Sequence, residues 1–147
     1  LMAGTALALS EHFRQAKLYT VEPDGLDDTA RSLAAGKRQT NDPSARSICD
    51  AIVTPSPGLL TFPIVQSKAA GGKVVTDEEA LSAMKTAWDY FKLTVEPGGA
   101  VALAASLKQE VIASHTGDKR KTVVAILSGG NCDQDIFAQA LATPALI

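Results

Sequence analysis

A chain of 147 residues fits one domain, and 46% hydrophobic residues suffice for a sizeable core. Fourteen Lys and Arg against sixteen Asp and Glu leave a formal charge of −2, which gives no general attraction to nucleic acid or to an anionic membrane. Two cysteines, Cys49 and Cys132, lie far apart without metal-type spacing, so reduced thiols in a cytoplasmic protein are the simplest reading.

The first helix is predicted over about residues 3–15. Its apolar opening lacks the basic flank of a signal sequence, is too short to span a bilayer, and has no capping residue before it. The expectation is that the natural chain continues upstream. A strand over residues 18–21 then leads into Glu22-Pro23-Asp24-Gly25-Leu26-Asp27-Asp28, where Pro and Gly turn the chain back. Such a turn can aim Glu22, a main-chain carbonyl and Asp28 at one point, the all-oxygen setting that hard divalent cations prefer. It also reads as a helix N-terminus, with Asp27 or Asp28 capping a helix over residues 28–35. The two readings are compatible.

Residues 36–63 hold most of the prolines and little periodicity; a stretch of this kind inside a domain is usually functional or packs against a partner. A short helix is predicted over residues 59–68 and a short strand at Val74-Val75. Thr76-Asp77-Glu78-Glu79 resembles a capping box opening a helix over residues 77–92. On that helix Ala80, Met84, Ala87, Trp88 and Phe91 share a face, so Trp88 reads as core.

Glu96-Pro97-Gly98-Gly99-Ala100, followed by small and apolar residues, predicts a tightly packed, buried helix with Pro just inside its start. Glu96 then stands at its mouth, either as a satisfied helix-end residue or as a site residue. A polar loop follows over residues 114–121, where Lys119-Arg120-Lys121 is a solvated cluster. The β-branched run Val123-Val124-Ala125-Ile126-Leu127 meets Ser128-Gly129-Gly130-Asn131 and reads as a buried strand. In open α/β sheets ligands gather beyond the carboxyl ends of strands, which puts Ser128 where a cofactor would lie. The two glycines let backbone approach a flat ligand. A last helix is predicted over residues 133–141. His12 and His115 form no recognisable constellation with Cys132, and no Gly-x-Gly-x-x-Gly follows a strand. Helices alternating with short strands indicate a parallel α/β sheet.

Together, Val21-Glu22-Pro23, Ser32-Leu33 with Gly36, Thr61-Phe62-Pro63-Ile64, Val74-Val75-Thr76-Asp77-Glu78-Glu79, Val95-Glu96-Pro97 and Leu127-Ser128-Gly129-Gly130-Asn131 resemble a known branch of enzymes. These are the serine and threonine dehydratases and serine racemases among pyridoxal-phosphate (PLP) enzymes of the tryptophan synthase β-like fold (fold type II). The resemblance covers almost the whole chain. It implies that Ser128 hydrogen-bonds the pyridine nitrogen of pyridoxal 5'-phosphate, with Gly129 beside it. Leu1 matches the residue that closes a tetraglycine phosphate loop, and Glu96 the acidic residue near the cofactor ring. Glu22, the carbonyl of Leu26, and Asp28 match a divalent-cation site for Mg2+, Mn2+ or Ca2+; Leu26 stands where alanine is common.

The Schiff-base lysine motif and the phosphate loop are absent from this sequence. Residues 1–147 are therefore expected to be the C-terminal portion of a PLP-binding catalytic domain, inactive alone. The resemblance implies a homodimeric, cytoplasmic lyase that converts a small hydroxyamino acid to a 2-oxo acid and ammonia. Alternatives are an amino-acid racemase, a 3-hydroxyaspartate dehydratase, or a non-catalytic binding or regulatory module with the same fold.

Overall fold

A computed structural model of the chain describes residues 1–108, 111 and 122–147. The chain forms two compact units, Leu1–Arg46 with Val53–Val74, and Ser47–Ile52 with Val75–Ile147. The predicted loop over residues 114–121 lies outside the described residues. Among the described residues no helix is long and apolar enough to cross a membrane.

In the first unit, helix α1 (Met2–His12) packs along helix α3 (Phe62–Lys68) and buries Ala6. It ends three residues before the expected boundary, at Phe13. Helix α3 starts at Phe62 rather than at residue 59, with Pro63 in its first turn, where a missing N–H costs nothing. Leu59 and Leu60 stay exposed before it. Strands β1 (Tyr19–Pro23) and β2 (Gly71–Val75) form a two-stranded parallel sheet, with helix α2 (Asp28–Ala35) and α3 in the connection that a parallel pair requires. Both strands are longer than their apolar runs. Helix α2 lies directly on the sheet: a Cβ added to Gly72 would stand 2.4 Å from Cβ of Ala30. Gly36, in the left-handed conformation at φ 69°, ends α2.

The irregular stretch after α2 is held by side chains bonding to backbone. Ser32 Oγ donates to the Asp28 carbonyl and accepts from the N–H of Gln39, Arg38 reaches the Pro57 carbonyl, and the N–H of Asn41 donates to the Pro55 carbonyl. Such bonds replace a ladder and satisfy backbone groups that would otherwise be orphaned.

In the second unit, helix α4 (Asp77–Thr86) opens with the expected capping box. The Glu79 N–H donates to Thr76 Oγ1 (3.1 Å) and the Thr76 N–H to Glu79 Oε2 (2.8 Å). The helix does not run on unchanged to residue 92: a π turn occupies Ala87–Phe91 and Lys92 closes it at φ 57°. A π turn widens the helix and rotates the residues after it. Ala80, Met84 and Ala87 are wholly buried, as their shared face predicts, whereas Trp88 is 37% exposed and Phe91 59%. Trp88 is thus a margin residue instead of core, edge-on to Phe137 at 5.6 Å.

Helix α5 (Pro97–Ser106) buries almost every residue and packs against α4. Small side chains make this possible, and the single turn Asp50–Ile52 comes close enough that a Cβ on Gly98 would sit 3.2 Å from Ile52. Helix α6 (Gln134–Ala142) also packs on α4. The expected buried strand over residues 123–127 is not formed among the described residues; the segment is irregular and Val124 is 79% exposed. A β-branched run becomes a buried strand only where a neighbouring strand takes its hydrogen bonds, and no described strand does so here.

Candidate functional site

Glu96 sits at the N-cap of α5 in extended conformation, but its carboxylate does not cap that helix. It turns instead to the segment after Ser128. Glu96 Oε2 accepts from the N–H of Asn131 (3.0 Å), and the Glu96 N–H donates to the carbonyl of Gly129 (3.1 Å). Three glycines allow this close approach. An added Cβ would lie 2.3 Å from Glu96 Oε1 at Gly129, 2.6 Å from the Gly129 carbonyl at Gly99, and 2.8 Å from the Thr94 carbonyl at Gly130. Residues 129–131 are therefore locked against the start of α5.

Ser128 precedes this locked segment. It is exposed, and its hydroxyl makes no hydrogen bond to another described residue. A hydroxyl held on fixed backbone, next to glycines with no side chains to obstruct a planar group, suits an aromatic nitrogen acceptor. The structure thus brings Ser128, Gly129 and Glu96 together in the second unit. Leu1 belongs to the first unit, where its carbonyl accepts from the N–H of Thr5 (3.0 Å).

Neither thiol has the setting of a nucleophile. Burial, with Asp133 and Glu96 nearby, pushes Cys132 up, and burial pushes Cys49 up to about 11, so both stay protonated at neutral pH.

In the first unit the turn after β1 brings two carboxylates into electrostatic contact. Burial raises the proton affinity of Glu22, and the negative charge of Asp28 adds to it against opposing hydrogen bonds from Thr29 and Ala30. Burial likewise raises Asp28, opposed first by the Asn41 amide. Glu22 uses both oxygens on helix α2, accepting from the N–H groups of Thr29 (2.9 Å) and Ala30 (2.8 Å). The sequence suggests Asp27 or Asp28 as the cap; the structure gives that role to Glu22 from the neighbouring strand. Asp27 makes no cap bond and pairs with Arg31 one turn on (2.9 Å).

Asp28 is 2% exposed, and its Oδ2 is one of two buried side-chain atoms without a hydrogen-bond partner among the described residues, the other being Thr20 Oγ1. An orphaned carboxylate oxygen is the more costly of the two, and a cation is the partner that most directly offsets it. Two carboxylates and a main-chain carbonyl are oxygen donors suited to a hard divalent ion. Among the described residues no cluster of three His, Cys, Asp or Glu side chains occurs, so water and the Leu26 carbonyl must complete any such shell. Leu26 itself buries its side chain. Sequence reasoning missed Asn41, the side-chain partner of Asp28, because Asn41-Asp42-Pro43-Ser44 reads simply as a turn.

An α/β fold with a glycine-locked serine and a buried carboxylate pair defines the class of protein, and comparison with known proteins narrows it. The model of the pyridoxal-phosphate dependent enzyme family matches residues 1–129, and the chain belongs to that family. It is 38% identical over 144 residues to a serine racemase of Dictyostelium discoideum, across 96% of this chain and 43% of that one. Among solved structures it resembles maize serine racemase (TM-score 0.82, 35% identity, 97% of this chain and 43% of that one). It also resembles a bacterial threonine deaminase, that of T.th. (TM-score 0.80, 34% identity, 90% and 46%). The fold is that of part of a tryptophan synthase β-like, fold type II domain. The chain spans about two fifths of the length of the curated relatives it matches.

Proposed function

We propose that these 147 residues are the C-terminal portion of a PLP-binding domain, with the Schiff-base lysine supplied by chain outside them. The intact protein then acts on small hydroxyamino acids, removing water and releasing a 2-oxo acid and ammonia. When bound, the cofactor supplies an electron sink for bonds at the substrate α-carbon. Ser128 donates a neutral hydrogen bond to the ring nitrogen, and a hydroxyl does not protonate that nitrogen as a carboxylic acid would. Glu96 keeps the Ser128 segment in place through Asn131 and Gly129. Glu22, the Leu26 carbonyl and Asp28 hold Mg2+, Mn2+ or Ca2+ as a structural or activating ion.

The observation that carries this reading is the free hydroxyl of Ser128 ahead of a segment that only glycines can form. The reading extends to a homodimer in the cytoplasm, the latter supported by two cysteines that form no disulfide. The likeness to serine racemases favours a second reading, racemisation at the same site.

The test is to supply the intact protein, loaded with PLP, with serine, threonine and 3-hydroxyaspartate, and to measure both 2-oxo acid release and the chirality of the remaining amino acid. Release from one of them supports the dehydratase, and inversion without release moves the assignment to the racemase. Neither product from any of the three overturns both readings. Ser128→Ala should lower cofactor retention, and Ser128→Asp should raise the share of racemisation over elimination.

A further inference from the structure

We infer that Asn41 is a positioning residue for the cation: it claims one oxygen of Asp28 and reserves the other for the ion. The inference rests on the cation reading of Glu22, Leu26 and Asp28 given above. Asn41 is 5% exposed, and every polar group of its side chain is engaged. Its Oδ1 accepts from the Arg31 guanidinium, and its Nδ2 donates to Asp28 Oδ1 (2.6 Å) and to the Thr54 carbonyl (2.8 Å). A guanidinium has only donors, so it forces the amide oxygen toward itself and the amide nitrogen toward Asp28. The Thr54 carbonyl has only lone pairs and enforces the same orientation. The backbone N–H of Asn41, bonded to the Pro55 carbonyl (2.8 Å), fixes the residue to the irregular stretch.

The consequence is an asymmetric carboxylate. Oδ1 of Asp28 is occupied by a neutral donor that adds no charge, while Oδ2 is buried and unpartnered. Were Asn41 a lysine or arginine, its charge would neutralise Asp28 and compete with a cation. An amide orients the carboxylate and leaves its charge to the ion, as outer-shell partners of metal ligands do. Arg31 acts one step further out, on the orientation of the amide, and is itself tied to Asp27.

The experiment titrates the intact, metal-stripped protein with Mn2+ alone and reads free Mn2+ by electron paramagnetic resonance, with melting temperature measured alongside. Asn41→Ala removes the donor; Arg31→Gln, at a half-exposed position, loosens its orientation. The expected result is one Mn2+ site in the wild type, lost in Asp28→Ala and weakened by roughly 10- to 100-fold in Asn41→Ala and several-fold or more in Arg31→Gln. A purely structural role would lower the metal-free melting temperature and leave the Mn2+ dissociation constant unchanged, and that result overturns the inference. If Asn41→Ala does not fold, the dissociation constant of Arg31→Gln decides by itself. A wild type that binds no Mn2+ removes the cation reading and this inference with it.

Discussion

Gly129 and Glu96 exclude a side chain between them: a Cβ on Gly129 would stand 2.3 Å from Oε1 and 2.8 Å from Oε2 of Glu96. The contact couples the residue after Ser128 to the start of α5. Gly129→Ala must therefore displace either the carboxylate or the segment, at a cost of roughly 1–3 kcal/mol as an overpacked contact. Truncating the obstacle in Gly129→Ala/Glu96→Ala should return part of that loss. Urea unfolding of the four proteins in the cycle measures it, and strictly additive losses would refute the coupling.

Helix α2 is capped from outside its own chain segment, by Glu22 on β1. Glu22→Ala is expected to cost about 0.5–2 kcal/mol, because two N–H groups of the first turn lose their acceptor. Asp27→Ala, which removes only a partly exposed pair with Arg31, should cost at most about 0.5 kcal/mol. Equal losses in denaturant unfolding would return the cap to Asp27.

Cys49 is wholly buried, and its thiol is held up to about 11. In the folded protein a maleimide reagent should label Cys132 and spare Cys49 until the chain unfolds. The linkage has a definite sign. A group whose folded value is raised binds its proton more tightly when folded, so its contribution is whole below the ordinary value of 9.0 and is lost as pH rises through about 11. Urea midpoints between pH 8 and 11 should therefore fall more steeply for the wild type than for Cys49→Ala.

Asp28 offers a test by sign reversal. Its buried Oδ2 is unpartnered, so Asp28→Asn removes an uncompensated charge when no ion is present and removes a ligand when one is. With chelator, the variant of the intact protein should melt at or above the wild type. With excess Mn2+ it should melt below, because the ion then stabilises the wild type alone. A variant that melts below the wild type by the same margin in both conditions would count against the cation site.

Local chemistry made several elements readable. Asp28–Ala35 has the predicted bounds because an acidic start and Gly36 punctuate it from within six residues. The Thr76 capping box is a four-residue interaction, and the burial of Pro97–Ser106 follows from its run of small side chains. The π turn at Ala87–Phe91 was not readable, since its residues favour an α-helix equally well. For the site, Ser128, Glu22 and Asp28 stood out as residue types at turn positions. Asn41 did not, because its partners Asp28, Arg31 and Thr54 are each ten or more residues away.

By itself the sequence determined what depends on neighbours a few residues apart: the helix signals, the glycines beside Ser128, the acidic turn after β1, and the family those motifs mark. Only the tertiary structure decided which acid caps α2, which oxygen of Asp28 is left open, and that residues 123–127 form no strand among the described residues. The physical reason is range. Turn chemistry and helix capping act within one or two turns of chain, whereas a buried carboxylate or an unpaired strand is satisfied by groups that only folding brings alongside.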